Sequence, residues 1–317
     1  MHRLAYHPAA SWKDAREHAL IFATDATGVL VQQPQECRRG HFFVAIADDD
    51  YVFFHFTPKH NHQVPLQLFE GFSGYLQADA SSVYDALYRR EPSGPTEVGC
   101  MAHARRKFFE AVREERDTAL TGIGFLQALF AIEKEADVAK LAPAQRLGMR
   151  KARAGPILRE FFLWCERETA KRGKDRSLLG RAVRYALRQK EALSRYLEDG
   201  RLKITNNHSE RELRSIAVGR HNWLFVGSDE HAEASAVLIS LVASCRLHKL
   251  DPEAYLRDLF RVLPQWPATR LLELAPRFWG WTRARLVAAE LLVPYGSITV
   301  PQALPLPRET SNDSDAG

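Results

Sequence analysis

The chain has 317 residues and a formal net charge of +5, from 44 Lys and Arg against 39 Asp and Glu. An apolar fraction of 45% and a charged fraction of 26% are ordinary for a globular protein, which excludes the disordered, collagen-like and coiled-coil classes. The 4 cysteines lie far apart, and prolines interrupt the longest uncharged stretch, so neither a disulfide framework nor a membrane-spanning helix is expected.

The first third of the chain predicts a sheet. Short apolar and aromatic runs predict strands over 19–25, with an extension over 28–33, and over 41–47, 51–56, 74–78 and 96–101. Asp48, Asp49 and Asp50 predict a turn between the second and third strands. Helices are expected over 63–71 and, capped by Ser81 or Ser82, through Arg90. Strands that alternate with helices in this way indicate a mixed α/β sheet.

The remainder predicts helices. Helical spacing of apolar residues runs from about 104 to 200, and a third helical region covers 233–261 and continues less clearly to 292. The tail after Pro301 has little to bury, and we expect it to be disordered. Between Cys100 and Gly200 there are 22 Lys and Arg against 14 Asp and Glu. This local positive charge favours a polyanionic partner such as nucleic acid, although solvated arginine-rich helices explain it equally well.

Three acidic residues stand at predicted element ends. Asp25 and Asp79 each follow an apolar strand, where α/β sheets commonly bind ligands, but each is also a reasonable turn or capping residue. Glu210 falls in the first or second turn of a helix that Asn206 or Asn207 would cap. Its helical spacing turns it toward the sheet, either as a functional carboxylate or in a salt bridge with Arg214.

Several long motifs, in order along the chain, resemble the insertion-sequence sixty-six family of bacterial DDE transposases. They are the segments 76–88, 97–109, 197–228 and 250–256, within a similarity that runs from about 14 to 280. The resemblance implies a ribonuclease H-like mixed α/β fold with an all-helical insertion and a C-terminal helical region. The implied segments are a first part of the catalytic core (14–107), the insertion (108–199), the completing part of the core (200–228), the helical region (229–300) and a disordered tail (301–317).

The resemblance also implies that Asp25, Asp79 and Glu210 form the acidic catalytic triad. Such a triad binds two Mg²⁺ or Mn²⁺ ions, because hard cations prefer oxygen ligands. Asp25 is expected to bridge both ions, Asp79 to bind one and Glu210 the other. The sequence departs from the family at Ala26 and Thr205, where an acid is usual, which affects the surroundings of the triad but none of its members.

DNA is the expected partner. Arg105, Arg106 and Lys107 follow the fifth strand, and Arg211, Arg214 and Arg220 flank the third acid, where they are expected to contact phosphates or to remain as exposed or internally paired charges. Trp223 is a candidate for stacking on an unpaired base, with a core aromatic as the alternative that we favour. Cys100 and His103 form a C-x-x-H pair, for which packing of a free cysteine is favoured over zinc binding.

The function that follows is metal-dependent DNA strand cleavage and transfer of the 3′-hydroxyl of an insertion sequence. The alternatives are a catalytically idle DNA-binding remnant and a resolvase-like nuclease of the same fold. The family's N-terminal region is not recognisable, so we expect a catalytic portion or a truncated copy. Expected partners are double-stranded transposon ends and target DNA, a second copy of the chain on DNA, and accessory proteins of the element. The expected location is the bacterial cytoplasm, at the nucleoid, with no membrane association.

Overall fold

The computed structural model describes residues 2–90, 94–173 and 175–307. Its strands are β1 (Ile21–Val31), β2 (Arg38–Ala47), β3 (Tyr51–Thr57), β4 (Tyr75–Gln77) and β5 (Thr96–Val98). Its first helices are α1 (His2–His18), α2 (Gln63–Leu68), α3 (Asp85–Tyr88), α4 (Met101–Ala111), α5 (Arg116–Val138), α6 (Pro143–Met149) and α7 (Gly155–Arg172). They are followed by α8 (Leu178–Arg188), α9 (Lys190–Ser194), α10 (Asn207–Trp223), α11 (Asp229–Leu247), α12 (Pro252–Val262), α13 (Pro276–Arg283) and α14 (Ala288–Leu292).

The five strands form one mixed sheet in the order β3-β2-β1-β4-β5, which confirms the predicted mixed α/β class. β2 and β3 are an antiparallel hairpin, and residues 48–50 make the predicted turn between them. β4 is parallel to both β1 and β5. The chain divides into two compact units, one of residues 1–19, 26–59 and 218–317 and the other of residues 20–25 and 60–217. β1 and α10 each contribute residues to both.

In the first unit, α11 covers the edge strand β3. The Oγ of Ser240 accepts a hydrogen bond from the backbone N of Phe54 at 2.7 Å, and the Oγ of Ser244 accepts one from Val52 N at 3.0 Å. These serines lie four residues apart, which places them on one face of the helix. Their hydroxyls therefore satisfy backbone groups that an edge strand would otherwise leave unpaired, which prevents pairing with another chain.

The second unit has a helical core below the short strands β4 and β5. Its largest cluster of buried side chains comes from α4, α5, α7 and α8. Phe108 of α4 packs edge-on against Phe161 of α7, with ring centroids 5.8 Å apart. Gly122 allows α5 to approach Phe108 closely, since a Cβ on it would lie 2.7 Å from the Phe108 ring. The region 104–200 is thus helical, as predicted, and its helices pack around a common core.

One element prediction was confirmed and another was wrong. The run 19–25 and its extension over 28–33 form the single strand β1, because Val29 and Val31 continue to bury their side chains beyond Asp25. The helix predicted to begin at Ser81 or Ser82 and to run through Arg90 is only the single turn α3, which follows Tyr84 and has no side-chain cap.

The C-terminal third is helical, in agreement with the prediction for 233–261. Residues 301–307 have no helix or strand, and the rest of the predicted disordered tail lies outside the described residues. Within the described ranges we find no helix that combines the length and the apolar character of a bilayer span.

Candidate active site

Asp25 and Asp79 lie at matching positions on neighbouring parallel strands. The last paired residues of β1 and β4 are Ala23 and Gln77, and each aspartate lies two residues beyond them. Asp79 follows the end of β4 as predicted, whereas Asp25 lies inside β1, so its predicted place at a strand end was wrong. Since neighbouring strands are about 4.8 Å apart, this register brings the two backbones to one edge of the sheet. Both side chains are half-buried.

β5 brings a third element to the same edge. Val98 pairs with Gln77, so Cys100, two residues later, occupies the level of the two aspartates and directly precedes α4. The thiol of Cys100 is buried and free. Burial raises its pKa, so it remains a neutral thiol, and its Sγ accepts a hydrogen bond from the backbone N of Asn206 at 3.2 Å.

Asn206 fastens the start of α10 to β1. It is fully buried, and its side-chain Nδ2 donates to the backbone O of Thr24 at 2.9 Å. Its side-chain oxygen also accepts from the hydroxyl of Ser209. Asn207, the other candidate for the helix cap, is exposed and is the first residue of the helix. One side chain thus joins the residue before Asp25 to the helix that carries Glu210.

Two further hydrogen bonds connect the segment before α10 to the sheet edge. The side chain of Gln77, which is buried, donates to the backbone O of Gly99 at 3.2 Å and of Lys203 at 2.7 Å. The backbone N of Met101 donates to Ile204 O at 3.0 Å. The elements that carry all three acidic residues are therefore joined by direct hydrogen bonds, although Asp25 and Asp79 are 54 positions apart along the chain and Asp79 and Glu210 are 131 apart.

Glu210 lies in the first turn of α10, as predicted, with its side chain one-third exposed. Its Oε1 lies 3.5 Å from the Nε2 of His103, on α4. Burial lowers the pKa of His103, while the charges of Glu210 and then Asp79 act in the opposite direction. The pKa of His103 therefore depends on the charges of both Asp79 and Glu210.

Tyr84 interacts electrostatically with Asp79 and Asp25. Its hydroxyl is buried and lies 3.5 Å from the Oγ1 of Thr24. Burial raises the pKa of this hydroxyl, and the charges of Asp79 and Asp25 raise it further. The charge of Asp79 thus acts on both Tyr84 and His103.

The chemistry of this donor set fits a hard cation, because all three candidate ligands are carboxylates. Within the described residues, however, no three Asp, Glu, His or Cys side chains are gathered closely enough to hold a metal ion. The structure therefore brings together the elements that carry Asp25, Asp79 and Glu210 but not a preassembled metal site.

The predicted DNA-contacting residues of this unit lie on α4 and α10. Arg105 is exposed and its guanidinium lies over the ring of Phe130, while the Nζ of Lys107 lies 4.7 Å from the ring centroid of Tyr185. Arg106 is exposed on α4, and Arg211 and Arg214 are exposed on α10. Their predicted contacts with DNA stay predictions.

Arg220 and Trp223 belong to the other unit. Arg220 donates to the backbone O of Gly28 at 2.9 Å and to the Oγ1 of Thr27 at 3.3 Å, which is the internal pairing considered as its alternative. Trp223 is 39% exposed, and the next residue, Leu224, is 63% exposed with a left-handed φ of 57°. The interpretation of Trp223 as a core aromatic was wrong, because α10 ends there and the chain turns outward.

Four residues of this region were not recognised from the sequence as part of the site. The sequence predicts Cys100 and His103 as a packed free cysteine with its neighbour rather than as a zinc pair, predicts Asn206 as a possible helix cap, and assigns no role to Gln77. The C-x-x-H spacing after a strand was the available signal, because it places a histidine on the first turn of the following helix. The partners of Asn206 and Gln77 are long-range and have no local signal.

Two family profiles match the chain. The profile described as "Transposase IS66 family" matches residues 10–234, and the one described as "IS66 C-terminal element" matches residues 240–277. No solved structure gives a significant match.

The chain is also similar to three proteins of Sinorhizobium fredii, each described as uncharacterized. It is 30% identical to y4hP over 283 residues, covering 82% of this chain and 50% of that protein. It is 35% identical to y4qI over 214 residues (65% and 39%) and 32% identical to y4jD over 220 residues (66% and 42%). The chain thus spans half or less of the length of these relatives.

Proposed function

Because this chain belongs to the IS66 family of transposases, we propose that it is a DDE transposase with a ribonuclease H-like core. The proposed reaction cleaves DNA strands at the ends of an insertion sequence and transfers the freed 3′-hydroxyl to target DNA. The strand order β3-β2-β1-β4-β5, with an antiparallel hairpin and parallel inner strands, supports the fold assignment.

The observation that carries this proposal is the convergence of Asp25, Asp79 and the helix of Glu210 on one sheet edge. The matching register of β1 and β4 and the Asn206 bond to Thr24 hold these elements together. If the carboxylates closed to about 5 Å, each pair would repel by about 3 kcal/mol at an effective dielectric of about 20, and a bound cation would offset that repulsion.

In this proposal Asp25, Asp79 and Glu210 hold Mg²⁺ or Mn²⁺, two ions per site. When bound, such ions neutralise the charge on the reacting phosphate and activate the attacking oxygen. Since no three ligands are already gathered, the proposal requires the carboxylate side chains to close on the ions when DNA and metal bind. His103 and Asn206 would keep Glu210 and its helix aligned during that closure.

The chemistry consists of two displacements at phosphorus. Water attacks a phosphodiester at the transposon end and gives up a proton to solvent, the bond from phosphorus to the 3′-oxygen breaks, and that oxygen takes up a proton, so that a 5′-phosphate and a 3′-hydroxyl are released. That hydroxyl then attacks a target phosphodiester and displaces a second 3′-oxygen, so that the number of phosphodiester bonds is conserved. Exposed Arg105, Arg106, Arg211 and Arg214 are suited to contact the flanking phosphates.

The experiment is cleavage of a labelled duplex that carries the genomic ends flanking the reading frame, with purified chain and Mg²⁺. Wild-type protein is expected to nick the duplex and to join the labelled 3′ end to a second duplex. Asp25→Asn and Glu210→Gln are expected to abolish both products while DNA binding persists. Glu191→Gln, which changes an exposed acid on α9, is the control and should retain activity.

The alternatives give different products. Nicking without joining would identify a nuclease of the same fold, and binding without nicking would identify an idle remnant. Undiminished cleavage by Asp25→Asn would refute the assigned triad.

A further inference from the structure

The solvent-facing side of α8 carries three arginines, and this helix contains no acidic residue. Arg181, Arg184 and Arg188 are spaced by three and four residues, which places their side chains on one face of the helix. Arg181 and Arg188 are exposed and Arg184 is half-buried, whereas nearly all the other residues of α8 are buried. We call these three residues the arginine stripe of α8.

The charges of the arginine stripe are uncompensated. Many basic side chains of the helical region 108–199 are held in ion pairs with N–O distances of 2.5–3.0 Å, namely Arg146, Arg150, Arg153, Arg172 and Lys190. By contrast, no guanidinium of the stripe forms an ion pair or a hydrogen bond with any residue in the described ranges 2–90, 94–173 and 175–307. An anion that reaches this face therefore meets free positive charge.

Lys107 of α4 adds a fourth cation to this face. α4 packs against α8, and the Nζ of Lys107 lies 4.7 Å from the ring centroid of Tyr185. Tyr185 lies one turn after Arg181 and one turn before Arg188, so its ring borders the stripe. Glu110, one turn beyond Lys107, is an exposed acid on α4, and the four cations outweigh it. We call Lys107 and the arginine stripe together the α4–α8 basic surface.

α8 runs from the far end of α4 back to the sheet edge of the candidate active site. Its first backbone N, that of Leu178, donates at 2.7 Å to the Oε2 of Glu114, three residues beyond the end of α4. Four residues after α8 ends, the backbone O of Ala192 accepts from the N of Gly99 at 2.8 Å, directly after β5. β5 pairs with β4, the strand that the second acidic residue follows. The stripe therefore leads toward the sheet edge, with Arg188 at the near end.

Electrostatic effects on Tyr185 agree with this direction. Burial raises the pKa of its hydroxyl, and the ionisable groups of Cys100, Asp79 and Glu97 raise it further. The charge of Arg188 acts on the same pKa in the opposite direction. The last arginine of the stripe and the second acidic residue thus influence one hydroxyl group.

Lys107 connects the basic surface to the third acidic residue. It lies one turn after His103 on α4, and the Nε2 of His103 is 3.5 Å from the Oε1 of Glu210. The basic surface and all three acidic residues belong to the same compact unit. A strand bound along the stripe is therefore expected to continue toward Asp79 and Glu210.

A row of separate cations fits a linear polyanion. Arg181 and Arg188 are about 10 Å apart along the helix axis at 1.5 Å per residue, a length that about three nucleotides of one DNA strand cover at 3.4 Å each. The guanidinium fork binds phosphate oxygens in pairs, which suits arginine to nucleic-acid backbones. One small phosphate would contact only part of this row.

We infer that the α4–α8 basic surface binds backbone phosphates of the duplex DNA whose strand enters the candidate active site, with Arg184 and Arg188 as the contacts on the side of the sheet edge. The inference rests on the proposed function and extends its DNA contacts to the arginines of α8, for which the sequence analysis predicts no individual role. Phosphate contacts position a strand without reading its sequence, so they are expected to act equally on unrelated sequences.

The test is binding of fluorescent oligonucleotide duplexes to the full chain in EDTA, over a range of KCl concentrations. Arg184→Ala/Arg188→Ala is expected to weaken binding at least about tenfold and to lower the salt slope by about 2, because each lost phosphate contact removes about 0.9 from it. Arg184→Lys/Arg188→Lys keeps both charges and should keep the slope. If the double alanine variant does not fold, Arg188→Ala alone should lower the slope by about 1.

The matched control is Arg113→Ala/Arg116→Ala. It removes two exposed arginines from the connection between α4 and the start of α5, at the end of α4 away from the sheet edge. The net charge changes by the same amount as in the double alanine variant of the stripe, but the slope should stay within error. Equal losses in the two variants, or no loss in the stripe variant, would overturn the inference.

Two further outcomes separate the inference from other readings. If an RNA duplex of the same length binds more tightly than DNA and alone responds to the stripe variant, the partner is RNA and the inference is wrong. Because binding is measured without metal, a chain that binds DNA as expected but never cleaves it contradicts the proposed function and leaves the assignment of the basic surface standing.

Discussion

The Nε2 of His103 lies 3.5 Å from the Oε1 of Glu210, so the histidine of the C-x-x-H pair meets the third candidate acid. The Nδ1 of the same ring is buried without a hydrogen-bond partner among the described residues. His103 is therefore placed to position the side chain of Glu210.

Replacement of His103 by Ala is expected to lower the rate of strand cleavage about 10- to 100-fold, the usual effect of removing a group that orients a metal ligand. The half-saturating Mg²⁺ concentration should rise, because Glu210 is no longer held. Rates measured over a range of Mg²⁺ concentrations test both expectations. His103→Gln, which keeps a polar group near the carboxylate, should recover part of the rate.

A merely structural role for His103 would give a different result. In that case both variants would lower the melting temperature, and the Mg²⁺ dependence of the remaining activity would be that of the wild type.

The adjacent residues Asn206, just before α10, and Asn207, its first residue, provide a matched pair of variants. Asn206→Ala leaves the buried backbone O of Thr24 without its donor, which should cost about 1–3 kcal/mol of unfolding free energy. Asn207→Ala changes an exposed side chain and should stay within about 0.5 kcal/mol. Urea titrations of the two variants measure the difference. Equal stabilities would show that the Asn206 bond does not hold the helix to β1.

Gly148 and Gly200 should respond in opposite directions to replacement by alanine. Gly200→Ala places a Cβ 1.8 Å from Pro143 O and should lose about 1–3 kcal/mol, as overpacked sites do. Gly148→Ala, in α6 with open space around it, should gain about 0.5–1 kcal/mol from reduced backbone entropy. Thermal melts compare them. A Gly200→Ala protein as stable as wild type would contradict the close contact between Gly200 and Pro143.

Of the four cysteines, only Cys37 is exposed. Burial raises the pKa of Cys100 and Cys165, and it raises that of Cys245 to about 12, so these three are neutral, shielded thiols. A disulfide reagent should therefore label one thiol per native chain rapidly and four in denaturant. Cys37→Ser should remove the rapid phase, and rapid labelling that persists in this variant would contradict the burial of the other three.

The local sequence pattern was sufficient to predict many of the secondary-structure elements of this protein. The turn at 48–50, the strands of the β2–β3 hairpin and the helical third after 104 follow from alternation, turn residues and helical spacing, which depend on neighbours along the chain. The family motifs identified Asp25, Asp79 and Glu210 as the acids to consider, and the family profile agrees with that family assignment. Their roles as metal ligands stay a prediction.

Only the tertiary structure decided how the acidic residues are held. The contacts of Asn206 with Thr24 and of His103 with Glu210 span 182 and 107 positions, and no local signal encodes such pairs. The same limit explains the errors at β1 and Trp223, since the continuation of a strand or the exposure of an aromatic depends on which surface packs against it. The amino-acid order determines the elements and the chemical groups they carry, whereas packing determines which of those groups meet.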